Sequence, residues 1–206
     1  VMRDPLTKKY KPGFTLLEIG RSAYTQIDLQ TSARPVMENL MEKTQTSVFL
    51  GILNWDHVTI LDIVESSQDL KITAPVGTTI PMLAGAVGKV FLAFMDQVQA
   101  RKIIESKGLP QFTDNSIGDT ALYYKELKQV RKQGYAVDDE EYILGVRAVA
   151  APLMGLGQLR SAIWIVGFKA SLDDKKMKTL TGETHQAALE ISRRIQQQLT
   201  TPHNLN

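Results

Sequence analysis

Two short stretches of the chain carry residues whose types and spacing could do chemistry. The first, Gly85-Ala-Val-Gly88-Lys89, has the small residues and the lysine of a phosphate-binding loop. A Walker-type loop also needs a glycine five residues before its Gly-Lys pair and a hydroxyl group directly after the lysine. Leu83 and Val90 occupy those two positions, so the stretch lacks both the phosphate cradle and the magnesium ligand.

What remains at Gly85–Lys89 is a helix start built from small residues. Backbone N–H groups in the first turn of a helix attract carboxylates and other polar ligand atoms. The same small residues would equally suit close packing of the helix against a sheet. The residues alone leave both interpretations open.

The second stretch is the acidic run Asp138-Asp139-Glu140-Glu141. Carboxylates are the groups that acid–base catalysis and hard cations use. The run lacks the D-x-D-x-D-G spacing of a calcium loop, and adjacent acids in a short run are typical of a solvated loop. Our expectation is therefore a solvated turn.

Other common catalytic and metal-binding patterns are missing from the sequence. His57, His185 and His203 lie far apart, no serine sits in a G-x-S-x-G elbow, and the chain has no cysteine. We therefore predict no catalytic residue, no metal site and no cofactor. An enzyme that uses Asp138 as a base stays as the alternative.

Composition limits the class of protein further. The 206 residues are 43% apolar and 22% charged with a formal net charge of +2, which excludes wholesale disorder and does not indicate nucleic acid binding by itself. No apolar run approaches the roughly 20 residues that cross a membrane, and residues 1–12 do not resemble a signal peptide. We expect a cytoplasmic protein without membrane contact.

Hydrophobic periodicity predicts the elements that must position these two stretches. Predicted helices cover 14–29, 31–44, 84–94, 97–105, 119–133 and 173–199, and predicted strands cover 47–53, 58–64, 70–74, 135–137, 146–152 and 161–168. The strands come in runs with short connections. This order favours an α+β fold with an antiparallel sheet over a doubly wound parallel sheet.

Taken together, the two stretches resemble one protein family. Ile80–Ala93 is similar to the P-x-x-A-x-x-x-G-K-x-x-L-A signature of IclR-type bacterial transcriptional regulators, and Gly134–Pro152 is similar to their G-Y-x-x-D-x-E-E-x-x-x-G-x-x-x-x-A-x-P stretch. Arg3–Tyr10 resembles the wing of the family's winged helix-turn-helix, and Phe14–Gly20 resembles the linker that follows it. The resemblance runs from about residue 3 to residue 197.

The resemblance implies a GAF/PAS-like antiparallel sheet flanked by helices, with an N-terminal linker helix and a long C-terminal helix. Residues 1–12 would be a remnant of the wing, 13–30 the linker helix, 31–199 the effector-binding domain and 200–206 a flexible tail. It also implies a homodimer or homotetramer that senses a small-molecule effector. Operator DNA would be bound only through an N-terminal domain that we expect to be largely missing here.

The resemblance further implies a set of ligand-binding positions. In relatives that sense glyoxylate or pyruvate, backbone amides at a helix start, an acid before the E-E pair and small polar side chains on the last strands hold the ligand. The matching positions here are Ala86 and Val87 for the amides, Asp138 for the acid, and Ala148, Trp164 and Val166 for the strands. Leu70, Ile72, Ile80 and Tyr142 are expected to complete the lining.

The strand positions depart from those relatives, since they are apolar or aromatic instead of Cys or Ser. A small carboxylate that loses its donors is left with an undercompensated charge. We therefore expect a weakly polar or aromatic effector that stacks on Trp164 and presents a hydroxyl to Asp138. Alternatively, Trp164 fills the cavity, and the chain is an interaction domain that binds no ligand.

Overall fold

Antiparallel pairing joins all the strands described between residues 47 and 168 into one sheet. The computed structural model describes residues 2–3, 10–11, 15–156 and 160–200. Its strands are β1 (Met2–Arg3), β2 (Tyr10–Lys11), β3 (Ser47–Asn54), β4 (His57–Val64), β5 (Thr79–Pro81), β6 (Ala136–Asp139), β7 (Val146–Leu153) and β8 (Ser161–Phe168). Its helices are α1 (Thr15–Thr44), α2 (Gly85–Phe94), α3 (Gln97–Lys107), α4 (Thr120–Gln133) and α5 (Asp174–Thr200), with a 3₁₀ turn at Lys169–Ser171.

The six-stranded sheet has the order β5-β4-β3-β8-β7-β6, and β1 pairs with β2 separately. The sheet lies between two layers of helices. Alternate side chains of β8 face opposite layers, with Ile163 and Ile165 toward α1 and α5, and Ala162 and Trp164 toward α2, α3 and α4. Each face of the sheet therefore has its own apolar core, as period-two alternation requires. This confirms the predicted antiparallel α+β fold.

Capping residues mark the ends of α3 and α4 in the layer that these helices form with α2. Asp96 accepts hydrogen bonds from the amides of Val98 and Gln99 at the start of α3, and Asp119 accepts one from Leu122 N at the start of α4. Gly134 ends α4 in the left-handed conformation with φ of 84°. These caps fix where the chain turns back from α4 into β6.

The predicted break between helices 14–29 and 31–44 is wrong, because α1 continues through it. Ser32 lies within α1, and its Oγ donates a hydrogen bond to Gln198 Oε1 of α5 at 2.8 Å. Pro35 is exposed, so the backbone bond it removes lies on the solvent side. Burial of Leu29 and Met37 against the sheet holds the helix together across this point.

The predicted strand at 70–74 is also wrong. These residues form no ladder, and Leu70 is 75% exposed. The edge of β4 instead pairs with β5, where Val58 opposes Ile80. A β-branched composition favoured a strand, but the residues that pair with β4 on this side, Thr79–Pro81, come from further along the chain.

The predicted division into domains stays a prediction. The antiparallel pair β1–β2 lies inside the expected wing remnant 1–12, and α1 spans the expected boundary between the linker helix 13–30 and the domain 31–199. Most of the expected tail, residues 201–206, lies outside the described residues. None of the described helices is long and apolar enough to cross a membrane.

Candidate functional site

Strand register places three of the predicted site residues in one row. Asp138 on β6 opposes Ala148 on β7, and Ala148 opposes Val166 on β8. Directly opposed residues share a face of the sheet, and this face is the one that packs against α2. The expectation that these residues lie together came from the family resemblance, and the register gives it a physical basis.

The first turn of α2 lies against the Asp138 end of this row. A Cβ atom placed on Gly85 would collide with Asp138 Oδ2, and Gly85 also has φ of +53°. Only glycine meets both conditions without strain. Ala84 supplies no side-chain cap to the amides of this turn, and Ala86 and Val87 are 2% and 5% exposed.

Asp138 is a buried carboxylate, 4% exposed. Its Oδ1 accepts a hydrogen bond from the backbone N–H of Glu141 at 2.6 Å, which closes the turn after β6. Burial raises the pKa of Asp138, and this backbone bond and the charge of Lys89 offset the rise only in part. The Asp138 carboxyl therefore keeps its proton to a higher pH in the folded protein than in the unfolded chain.

Lys89 is the residue that sequence reasoning missed. It is 1% exposed, and its Nζ donates hydrogen bonds to Glu141 Oε1 at 2.6 Å and to Glu126 Oε1 at 3.3 Å. Burial raises the pKa of Glu141, and the charge of Lys89 opposes that rise. This Lys89 cluster (Lys89, Glu126, Glu141) ties α2 to α4 and to the turn that follows β6.

The expectation of a solvated acidic loop is wrong for Asp138, which is buried, whereas Asp139 is exposed. Each carboxylate of the 138–141 run has a hydrogen-bond partner. Asp139 accepts two hydrogen bonds from Arg147, at 2.7 Å and 2.9 Å. Glu140 pairs with Lys169 and accepts a bond from the backbone N–H of Gly145 at 2.8 Å. The run is therefore a set of structural links between β6, β7 and their neighbours.

Trp164 lies in the next row of the same face, where it opposes Phe49 on β3 and Ala150 on β7. Its indole is 3% exposed and stacks on the Phe49 ring, with centroids 5.5 Å apart and planes 7° apart. A Cβ atom on Gly51 would lie 2.7 Å from the indole. The ring therefore contributes to the core of this face, beside the Asp138 row.

The remaining predicted residues lie around this region at different distances. Leu70, Ile72 and Val166 line an open pocket of about 500 Å³ at the ends of β3 and β8. Tyr142 packs edge-on against Phe112, with centroids 4.9 Å apart. Ile80 is on β5, at the opposite edge of the sheet from Asp138, so the structure does not bring it next to the row.

Comparison with known proteins agrees with this architecture. The family described as "Bacterial transcriptional regulator IclR C-terminal" matches residues 21–193. The HTH-type transcriptional regulator BhcR of Paracoccus denitrificans is 31% identical over 190 residues, which cover 92% of this chain and 68% of that protein. This chain belongs to the IclR family. Its relatives are named as transcriptional regulators, which places it in a regulatory and not a catalytic family.

Solved IclR-family structures share the fold. The Thermotoga maritima IclR crystal structure superposes with a TM-score of 0.77 and 26% identity, covering 94% of this chain and 78% of that one. The C-terminal domain of the Escherichia coli regulator KdgR gives a TM-score of 0.70 and 28% identity, covering 82% of this chain and 98% of that domain. The chain thus contains the C-terminal, regulatory part of an IclR-family protein.

Asp138 and Asp139 should affect the pH dependence of stability in opposite directions. A raised pKa in the folded state means that the carboxyl of Asp138 costs stability as the pH rises from its ordinary value of 3.8 through the raised value. Asp138→Asn keeps an oxygen that can accept the hydrogen bond from Glu141 N. We therefore expect the stability of this variant, relative to the unmodified protein, to increase as the pH rises through that range. Urea denaturation at a series of pH values measures the difference.

Asp139→Asn is the matched control. The hydrogen bonds from Arg147 lower the pKa of Asp139, so this carboxylate contributes stability above its ordinary pKa that is lost on acidification. The Asn variant should therefore become less stable relative to the unmodified protein as the pH rises. Parallel pH profiles for the two variants would contradict the assignment of Asp138 as a carboxyl destabilised by burial.

Proposed function

We propose that this chain is the effector-binding and oligomerising part of a DNA-binding transcriptional regulator. The observation that supports this most directly is the Asp138–Ala148–Val166 row, which ends against the uncapped first turn of α2. A protonable carboxyl and helix-start amides next to an apolar strand surface suit a small organic molecule with one polar end. IclR-family membership supports a regulatory use of such a site.

The proposed ligand is weakly polar or aromatic. Ala148 and Val166 offer no hydrogen-bond donor to a small carboxylate, and burial favours the protonated form of Asp138. A ligand hydroxyl or carbonyl would therefore be bound by Asp138 and by the amides of Ala86 and Val87. Because Phe49 covers one face of the Trp164 indole, a ligand that stacks on Trp164 would use the opposite face.

We assign the other predicted residues to the periphery of the proposed site. Leu70 and Ile72 flank an opening that Val166 also lines, which supports an entrance from the segment that follows β4. The Cβ atom of Tyr142 lies 3.3 Å from the position of a Cβ on Gly85, beside the first turn of α2. Ile80 would contribute only through the shared apolar core.

Effector binding should control DNA binding through the arrangement of subunits. We propose a homodimer or homotetramer, with operator DNA bound by an N-terminal domain joined through α1, in a cytoplasmic protein. A ligand shifts such an equilibrium only if it binds the alternative arrangements with unequal affinity. Equal effector affinity in the operator-bound and free full-length protein would contradict this coupling.

Isothermal titration calorimetry with a panel of acids tests the ligand class. We expect 4-hydroxybenzoate and benzoate to bind more tightly than glyoxylate and pyruvate. Val166→Ser should weaken the aromatic ligands by about tenfold, since an apolar contact is lost. Leu189→Ser is the control, because this exposed residue lies on α5, across the sheet from the row.

Two results would favour other functions. Tight binding of glyoxylate or pyruvate with no binding of aromatic acids would refute the apolar ligand. Turnover of a bound compound that Asp138→Asn abolishes would support the small-molecule enzyme, and absence of binding across the panel together with stable self-association would support the ligand-free interaction domain.

A further inference from the structure

A second cleft lies on the far side of α2 from the sheet. It has a volume of about 470 Å³ and is formed by the end of α2, the start of α3 and the outer face of α4. Its apolar wall includes Leu92, Val98 and Leu127, and Val98 is 62% exposed although it is aliphatic. The volume lies within the range of small-molecule sites. None of the residues of the Asp138 row lines this cleft.

Three cations stand on the rim of this cleft. Arg101 comes from α3, and Lys128 and Arg131 come from α4, one turn apart; no carboxylate lines the cleft. Within the part of the chain that the structure describes, none of the three forms an ion pair. Concentrated, unpaired positive charge beside an apolar wall favours an anion that also has an apolar body.

Tyr124 also lines the cleft. Its ring lies under Arg101, whose Cζ is 5.8 Å from the ring centroid. Its hydroxyl is buried and has no hydrogen-bond partner among the described residues. A buried hydroxyl without a partner costs free energy, and an acceptor atom on a ligand would satisfy it.

We propose that this cleft binds a small amphipathic organic anion, such as an aromatic carboxylate, at a site separate from the Asp138 row. The carboxylate would lie among Arg101, Lys128 and Arg131, and the apolar body would lie on Leu92, Val98 and Leu127. A second copy of the chain is a poorer occupant. A two-fold contact through the cleft would bring the three cations against their own copies.

Fluorescence titration with 1-anilinonaphthalene-8-sulfonate, followed by competition with 2-naphthoate, tests the proposal. The double variant Lys128→Gln, Arg131→Gln should weaken 2-naphthoate at least tenfold. The matched control is Lys125→Gln, Lys132→Gln, which removes two exposed cations of the same helix that do not line the cleft, and it should leave the affinity unchanged. The neutral 2-naphthamide should compete at least tenfold less well than 2-naphthoate.

Tyr124→Phe separates binding from folding. It should weaken 2-naphthoate several-fold without lowering the melting temperature of the unliganded protein, because the hydroxyl it removes has no partner there. In methyl NMR spectra, adding 2-naphthoate should change the chemical shifts of the Leu92 and Val98 methyl groups. Equal affinities in the two double variants, or shifts on Val166 and Ile72 instead, would overturn the second site.

Discussion

Replacing Lys89 by alanine is expected to lower the free energy of unfolding by about 3–5 kcal/mol, the usual cost of removing one partner of a buried ion pair. The lysine is 1% exposed and bonds Glu141 at 2.6 Å. Its loss would leave the partly buried carboxylate of Glu141 and the buried side chain of Asp138 without their neighbouring positive charge. Urea denaturation at neutral pH, followed by circular dichroism, measures the change.

Two comparison variants make this result interpretable. Lys43→Ala removes a surface bridge to Glu183 at 3.5 Å between largely exposed side chains, and it should cost less than about 1 kcal/mol. The double variant Lys89→Met, Glu141→Gln removes both charges together, so it should cost less than the sum of the two single changes. A loss for Lys89→Ala no larger than that of Lys43→Ala would contradict the buried cluster.

The second large effect is expected from Trp164→Ala, which should lower the free energy of unfolding by about 3–5 kcal/mol. The indole is 3% exposed and stacked on Phe49, so its removal leaves a cavity between the sheet and α2. Chemical denaturation followed by circular dichroism measures the loss, since the variant also loses a fluorophore.

Trp55 provides the control, because it is the other of the two tryptophans in the chain and is 90% exposed. Trp55→Ala should change stability by no more than about 0.5 kcal/mol. The fluorescence of that variant, which comes from Trp164 alone, should be blue-shifted relative to that of Trp164→Ala. Equal stability of the two variants would show that the Trp164 indole does not belong to the core.

Most of the fold could be predicted from local patterns. The β-branched runs 47–53, 58–64 and 161–168 became β3, β4 and β8, because a buried strand needs those side chains in any topology. The segment 70–74 also contains β-branched residues, yet it pairs with no strand, and Thr79–Pro81 pairs with β4 instead. Period and composition indicate that a strand is possible, while its partner depends on residues that are distant in the chain.

The position of the candidate site in the fold was predictable only in part. Family resemblance brought Asp138, Ala148 and Val166 together, and the register agrees. The Lys89 cluster could not be derived from spacing, because Lys89 is 37 residues from Glu126 and 52 from Glu141. The signal was present in the two family-like stretches, one containing Gly-Lys and the other Glu-Glu, but nothing local indicates that they form a pair.

The unbroken course of α1 has a mechanical consequence. From Leu29 onward, α1 packs against the sheet and α5. The N-terminal part of the same helix, from Thr15 to Leu29, is about 20 Å long at 1.5 Å per residue. A tilt of about 5° at the fastened end therefore displaces Thr15 by roughly 2 Å, whereas a hinge at residue 30 would absorb it. A small change in how α1 packs on the sheet therefore becomes a larger displacement at the N-terminal end of the helix.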